Sequence, residues 1–196
     1  MTSQDGSRED SGKTDSRTSV QSSRSSPEAD ERAPRFVIQR HDASTLHFDF
    51  RLEIDGVLVS WSIPRGPSMD PRDKRLAIRT EDHSLDYLGF EGRIGDGYGA
   101  GTVIVWDVGI YHNRTQRGGV AVPLVEAVDD GHLSCWLEGT KIRGGFALTR
   151  VDRPRGREHW LLVKRRDEAA DPRRKPASTQ LESVLTGRTN DDIADS

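Results

Sequence analysis

The chain has 196 residues, enough for one domain with a real core, and its net charge of −3 neither requires nor excludes a nucleic-acid partner, because acidic segments can mask a basic groove. Hydrophobic residues make up 33% of it and mean hydropathy is −0.72; no run has the length or apolarity of a membrane span or a signal-peptide core, so no membrane partner is expected. The single cysteine, Cys135, excludes a disulfide framework and fits a reducing, cytoplasmic compartment.

Residues 1–34 hold no aromatic, and their only large apolar side chains are Met1 and Val20. Such a segment cannot bury enough surface to offset its chain entropy, which predicts a disordered N-terminal arm over 1–34. Residues 35–39, RFVIQ, open the ordered part as a short strand. In residues 45–54, TLHFDFRLEI, Leu46, Phe48, Phe50, Leu52 and Ile54 alternate with His47, Asp49, Arg51 and Glu53, the period of a strand with one apolar face. The polar side chains then stand in a row. If the chain bends through Ala43-Ser44, His41 joins them, and His41, His47 and Asp49 offer two nitrogens and a carboxylate to a divalent metal, with Arg51 placed to hold an anion. A solvated ladder of ion pairs is the other reading of the same pattern, and the strand by itself leaves both open.

Asp55-Gly56 signals a type I′ hairpin turn into a return strand over 57–63, VLVSWSI, which the Pro64-Arg65-Gly66-Pro67 sequence stops. Residues 74–80 read as a strand with Leu76 and Ile78 inward. Continued with period two, it puts Glu81 and His83 on the face of Arg75; the stretch 81–87, EDHSLDY, is either a site loop or a polar turn. The glycine-rich stretch 92–101 matches neither GxxxxGK[ST] nor GxGxxG in context, because residues 102–111 after it read as a strand rather than a helix. Further strands are expected at 132–138, 145–151 and 159–164, separated by glycine turns. Strands at this spacing with almost no amphipathic helix predict a closed barrel or a sandwich. Residues 167–180 are charged and proline-bearing, the pattern of a solvated tail, with a weak helical signal near the end.

Four separated stretches, QRHDASTLHFDFRLEIDGVLVSW, IPRGPSMDPRDKRLAIRTEDHSLDY, GYGAGTVIVWD and WLLVKRRD, closely resemble the 3′-phosphoesterase module of bacterial DNA ligase D, over about residues 35–167. The ending SVLTGRTNDDIA is similar to the segment that commonly follows that module. The resemblance implies an all-β, mainly antiparallel small closed barrel with little helix and disordered tails, spanning 35–167 between the arm and a charged C-terminal tail at 168–196. It implies a Mn²⁺-dependent hydrolase, with Zn²⁺ or Co²⁺ as other divalent options, acting on 3′ ends of DNA or DNA/RNA primer–templates. Its family removes a 3′-terminal ribonucleoside and then the remaining 3′-phosphate, in non-homologous end joining beside Ku and a polymerase–ligase, in the cytoplasm and at the nucleoid when acting.

Carried over residue by residue, the family's metal ligands fall on His41, His47 and Asp49, and its phosphate-binding and catalytic residues on Arg51, His83 and Tyr87. Supporting substrate contacts fall on Gln39, Arg75 and Glu81, and Arg65 stands where a lysine is usual. On this reading the polar-turn interpretation of His83 loses. Arg51 would grip phosphate oxygens bidentately, His83 would stabilise the transition state or protonate the leaving 3′ oxygen, and Tyr87 would hydrogen-bond the phosphate. The family's arm carries a tyrosine, a Lys-Arg-Asp-Phe run and a Thr-Pro-Glu-Pro motif, whereas this chain has only Ser26-Pro27-Glu28-Ala29, a departure that bears on the phosphatase step. The glycine-rich loop is one residue shorter than usual. The chain stops where ligase and polymerase domains would follow, so a stand-alone module with separate ligase and polymerase partners is expected.

Two other functions fit parts of the pattern. A jelly-roll iron(II)/2-oxoglutarate dioxygenase would use His47, Asp49, His132 and Arg143, and leaves His41, Arg51 and His83 idle. A non-catalytic nucleic-acid-binding barrel would need only a basic groove and aromatics.

Overall fold

Alternating apolar side chains that must all face one core force this chain's strands to close on themselves. A computed structural model describes residues 32–97, 99–151 and 156–196. The strands are β1 (Arg35–Asp42), β2 (His47–Ile54), β3 (Val57–Ile63), β4 (Lys74–Arg79), β5 (Gly92–Ile94), β6 (Gly101–Asn113), β7 (Gln116–Arg117), β8 (Val120–Ala121), β9 (His132–Gly139), β10 (Arg143–Arg150) and β11 (His159–Lys164). The order β1-β2-β3-β4-β11-β10-β9-β6 returns to β1 through a β1–β6 pairing, so eight antiparallel strands form a closed barrel; β5 adds to β6, and β7 and β8 form a separate ribbon. Closure leaves those eight strands no free edge. The expected barrel is present, and residues 1–31 of the expected N-terminal arm lie outside the described residues.

The eight barrel strands all contribute to the interior, where Phe36, Phe50, Trp61, Trp106, Phe146 and Trp160 are fully buried in one cluster. Trp61 and Trp160 meet edge to face with centroids 5.6 Å apart. Cys135 is also inside, and burial pushes its thiol up to about 12, out of reach of ordinary redox chemistry. The β2–β3 turn forms at Asp55 and Gly56, both with positive φ (50° and 79°), as the type I′ geometry requires.

One strand differs from its expected phase. On β4 it is Ala77 that is fully buried, while Leu76 is 40% exposed. Register places Ala77 opposite Trp160 of β11, within the core cluster that also holds Trp61. Arg75 therefore shares the inward face of Ala77 and not that of His83, and β4 ends before residues 80–82. Residues 85–89, read within a turn or site loop, form a 3-10 helix (Leu85–Gly89), and an α-helix not foreseen, α1 (Leu124–Asp130), precedes β9. Among the described residues no helix is long and apolar enough to cross a membrane.

The C-terminal segment also differs from a solvated tail. It carries α2 (Pro176–Thr179) and α3 (Asn190–Ala194), and α3 packs against β1, β5 and β6. Trp106 Nε1 and Lys141 Nζ donate to the Gln180 carbonyl, at 2.6 and 3.3 Å, and Val184 packs with Val37, Leu58, Leu88 and Val105 under the 3-10 helix. The Glu91 carboxylate accepts from the Val105 backbone N–H, Ser183 Oγ and Thr186 Oγ1. Asn190, 1% exposed, accepts from Arg40 Nη1 at 2.6 Å and donates to the carbonyls of Arg40 and Thr102, which clamps β1 to β6 beside His41. The charged residues of this segment hid polar anchors whose partners lie far away in sequence.

Asn190→Ala strands Arg40 Nη1 and leaves two buried carbonyls short of a donor. It should cost about 1–3 kcal/mol in denaturant melts, against a change within roughly 0.5 kcal/mol for the exposed Asp191→Ala. Equal effects of the two would show that the segment rests on the barrel without holding it.

Candidate active site

Pairing places the polar row of β2 beside its neighbours. His47 lies opposite His41, Asp49 opposite Gln39 and Ser62, and Arg51 opposite Val37 and Ser60. Because Phe48, Phe50 and Leu52 point into the barrel, alternation turns His47, Asp49 and Arg51 to its outer face. There they form part of a cleft of about 1180 Å³. One side of the cleft is the glycine-rich loop between β5 and β6; the other is the end of β4 with Arg157. A Cβ at Gly101 would stand 2.2 Å from the Asp42 carbonyl oxygen, so only glycine lets that loop close against β1. A second depression of about 490 Å³ lies at Asp70, Arg72, Arg166 and Asp167, but Arg72 is paired with Asp70 and Asp167 with Lys164.

His41, His47 and Asp49 each bring a ligand atom within 4.8 Å of the others. The His47 Nδ1–H donates to the Thr45 carbonyl at 2.8 Å, so in the neutral ring Nε2 carries the lone pair. That lone pair faces Asp49 Oδ1 at 3.6 Å, an arrangement that is repulsive unless a proton or cation lies between them. His41 Nδ1 is 3.6 Å from Asp49 Oδ2, and its buried Nε2 has no hydrogen-bond partner among the described residues. Two imidazoles and a carboxylate, one ring already oriented by a backbone carbonyl, are a donor set that suits Mn²⁺ or Zn²⁺. The residues fit a divalent ion.

Burial raises the pKa of Asp49, but the His41 hydrogen bond and the Arg51 charge outweigh it and hold the carboxyl below its ordinary value. Arg51, 4% exposed, is held on all three nitrogens. Nε donates to Gln39 Oε1 at 2.9 Å, Nη1 to Ser60 Oγ at 2.9 Å and to His83 Nδ1 at 2.8 Å, and Nη2 to Asp49 Oδ2 at 3.0 Å. Of its five N–H groups, four are thus committed, and one on Nη2 is left for an anion. The bidentate grip expected of Arg51 therefore requires exchange of a present partner. Gln39 is fully buried; its Nε2 donates to the Tyr87 and Phe90 carbonyls at 3.1 and 2.9 Å, which ties the guanidinium to the 3-10 helix.

His83 pairs with Leu58 as an isolated bridge, and its ring packs edge-on against Tyr87 at 5.0 Å. Its Nδ1 is 2.8 Å from both Arg51 Nη1 and the Glu81 carbonyl. Arginine can only donate and a carbonyl only accept, so Nδ1 serves Arg51 in the Nε2–H tautomer and the Glu81 carbonyl in the Nδ1–H tautomer. Burial first, and the Arg51 charge second, lower the His83 pKa from its ordinary value. Tyr87 stacks near Phe90 at 5.2 Å, with the Arg51 guanidinium 5.5 Å from its ring centre.

Of the residues singled out in the sequence, Gln39, His41, His47, Asp49, Arg51, Glu81, His83 and Tyr87 meet at this cleft, Glu81 as an exposed rim group. Arg65, in the turn after β3, and Arg75, whose Nη2 donates to Asp73 at 2.9 Å, are not among its lining residues. The face change of β4 explains Arg75. His132 bonds Thr149 across β9 and β10 and Arg143 is 65% exposed beside Glu138; neither joins the His41–His47–Asp49 group, which removes the dioxygenase ligand set. Ser60 went unnoticed, although Ser60 and Ser62 at alternate positions of an otherwise apolar strand mark its polar face.

In metal-free protein the His83 imidazole should titrate below 6.5 by NMR, and Arg51→Ala should move it up by removing one of the two depressing causes. An unperturbed titration, or no upward movement, would contradict the Arg51–His83 contact.

Comparison with known proteins agrees with this geometry. The family model for the DNA Ligase D 3′-phosphoesterase domain matches residues 39–150. The chain is 43% identical over 177 residues to the multifunctional non-homologous end joining protein LigD of Pseudomonas aeruginosa, covering 85% of this chain and 20% of that protein. It is 41% identical over 138 residues to the LigD of Mycolicibacterium smegmatis (68% and 17%), and 44% identical over 132 residues to the multifunctional non-homologous end joining DNA repair protein LigD of Mycobacterium tuberculosis (64% and 16%). The chain thus spans about a fifth or less of the length of these relatives. With the barrel, the outward histidine–aspartate row and these matches together, the chain belongs to the DNA ligase D 3′-phosphoesterase domain family.

Proposed function

We propose that this chain is a divalent-metal-dependent hydrolase that trims DNA 3′ ends in non-homologous end joining. Its substrate is the 3′ end of a DNA or DNA/RNA primer–template, from which it releases a terminal ribonucleoside and then the remaining 3′-phosphate. Mn²⁺ is the proposed ion, with Zn²⁺ or Co²⁺ as alternatives, and Ku with a ligase and polymerase are the proposed partners at the nucleoid. The observation that carries this reading is the convergence, on one outward strand face, of a His-His-Asp donor set and a buried arginine with a free N–H.

His41, His47 and Asp49 would hold the ion, which when bound polarises a nonbridging phosphate oxygen and lowers the pKa of water. Arg51 supplies a fixed positive charge next to that oxygen. Gln39, Ser60 and Asp49 lock it in place, so no reorganisation is needed as charge develops. His83, in the tautomer with its proton on Nε2, can hydrogen-bond the phosphate or donate to the leaving oxygen. That oxygen is the nucleoside 5′ oxygen in the first step and the primer 3′ oxygen in the second. Tyr87 offers its hydroxyl to the phosphate. Gln39 has all its polar atoms engaged within the protein and acts by bracing Arg51.

A 5′-labelled primer ending in one ribonucleotide should be shortened with Mn²⁺ and left intact with EDTA, and His47→Ala should abolish turnover without unfolding the barrel, since His47 lies off the core. Arg51→Lys keeps the charge but cannot serve Gln39, Ser60 and Asp49 at once, and should lose on the order of 30- to 1,000-fold in rate. Near wild-type turnover by His47→Ala, or a loss of tenfold or less for Arg51→Lys, would overturn these roles.

The second step must hold a terminal phosphate dianion without binding energy from a nucleoside beyond it, so it leans more on extra groups around the site. The Ser26-Pro27-Glu28-Ala29 stretch stands where the family's arm motif is expected. Accordingly, ribonucleotide removal should outpace removal of a preformed 3′-phosphate, and 3′-phosphate ends should accumulate in a mixed-substrate time course. Equal or faster phosphate loss would contradict a role for the arm.

A further inference from the structure

The two ends of the cleft differ in the charged side chains they offer a bound strand. On the glycine-rich side the described lining residues include Ala43, Ser44, Ile94, Gly97, Gly99 and Ala100, with no cation. On the opposite side Arg79 and Arg157 line the cleft, with the exposed Glu81 carboxylate at its rim. Arg79 is committed: Nη1 donates to the Ser60 carbonyl at 3.1 Å, Nη2 pairs with Asp82, and the guanidinium lies over Trp61. Arg157 is exposed and has no recorded hydrogen bond or ion pair with any described residue.

Register places Arg157 in line with the anion site. Arg51 is opposite Ser60; the Thr80 backbone N–H donates to the Ser60 carbonyl at 3.0 Å; and the Arg79 N–H donates to the Glu158 carbonyl at 2.9 Å, one step beyond the Ile78–His159 pair. Continued by one residue, Thr80 faces Arg157. Arg51, Ser60, Thr80 and Arg157 thus form one cross-strand row, three strand spacings or roughly 14 Å long. Thr80 Oγ1, in the middle of that row, is buried with no partner among the described residues.

A scissile phosphate at a 3′ end has the same asymmetry. On one side is a single terminal nucleoside with no further phosphate, and on the other a strand with a charge at every nucleotide. We propose that the leaving nucleoside occupies the uncharged, glycine-rich end, and that the primer strand runs along the Arg51–Ser60–Thr80–Arg157 row, with Arg157 pairing with an upstream phosphate. This rests on the 3′-end phosphoesterase reading for its substrate. It adds the direction of the strand and a contact outside the catalytic group.

The test separates the two. Binding of primer–template is measured by fluorescence anisotropy without metal, across a salt series, for wild type, Arg157→Ala and Arg157→Lys, with melting curves as a check on folding. Arg157→Ala should weaken binding roughly five- to tenfold and reduce the slope of log K against log salt by about 1, and Arg157→Lys should restore most of both. A primer with a neutral methylphosphonate replacing one upstream phosphate should lose the same increment, and Arg157→Ala should cause no further loss on it. With Mn²⁺, Arg157→Ala should raise KM on the primer with kcat unchanged. A dinucleoside monophosphate ending in a ribonucleoside has no upstream phosphate, and its turnover should not change. Unaltered salt slope, additive losses at every methylphosphonate position, or equal loss on the dinucleotide would each overturn the proposal. Failure of wild type to cleave either substrate would instead count against the phosphoesterase reading, while the binding series still decides the role of Arg157.

Discussion

The contact between Arg51 and Asp49, 3.0 Å long and almost out of solvent, is the constraint on which the site depends. A carboxylate buried beside two imidazoles stays ionised only if something offsets its lost hydration. Arg51 does so, and four of its N–H groups are then spent on Asp49, Gln39, Ser60 and His83. Removing either partner leaves a buried charge uncompensated, a far larger penalty than the loss of a surface pair. The same guanidinium adds to burial in lowering the His83 pKa and to the His41 contact in lowering that of Asp49, so one cation bears on both groups.

That arrangement needs a rigid frame, and the barrel supplies it from behind. Phe48 and Phe50 anchor β2 in the core on either side of Asp49. Gln39 links Arg51 to the 3-10 helix bearing Tyr87, and that helix buries its Leu88 with Val37, Leu58 and Val105, against which Val184 packs. Val184 belongs to the C-terminal segment, which also reaches Arg40, next to His41, through Asn190. The end of the chain is part of the scaffold of the site.

Much of this was legible in the residues because period two is a strong constraint. One apolar face on residues 47–54 forces the other outward, and the histidine, aspartate and arginine there fit either a metal and anion site or an ion-pair ladder until His41 and His83 join them. What escaped was decided at long range. Leu76 is the larger apolar residue and so reads as inward, but the β4–β11 register sets Ala77 opposite Trp160 in the core and leaves Leu76 40% exposed. Arg75 moved to the other face with it. The C-terminal segment reads as polar because Ser183 and Asn190, buried as they are, find their partners 92 and 150 residues earlier. Arg157 carried no local signal at all; only the pairing of β4 with β11 brings it into the row of Arg51.

The central claim is that His41, His47 and Asp49 bind one divalent ion. Electron spin-echo modulation of Mn²⁺ added to the apo protein tests it directly. Coupling to two imidazole nitrogens is predicted, falling to one in His41→Ala or His47→Ala and to none in the double variant. Mn²⁺ that shows no nitrogen coupling, or coupling that survives the double variant, would contradict it.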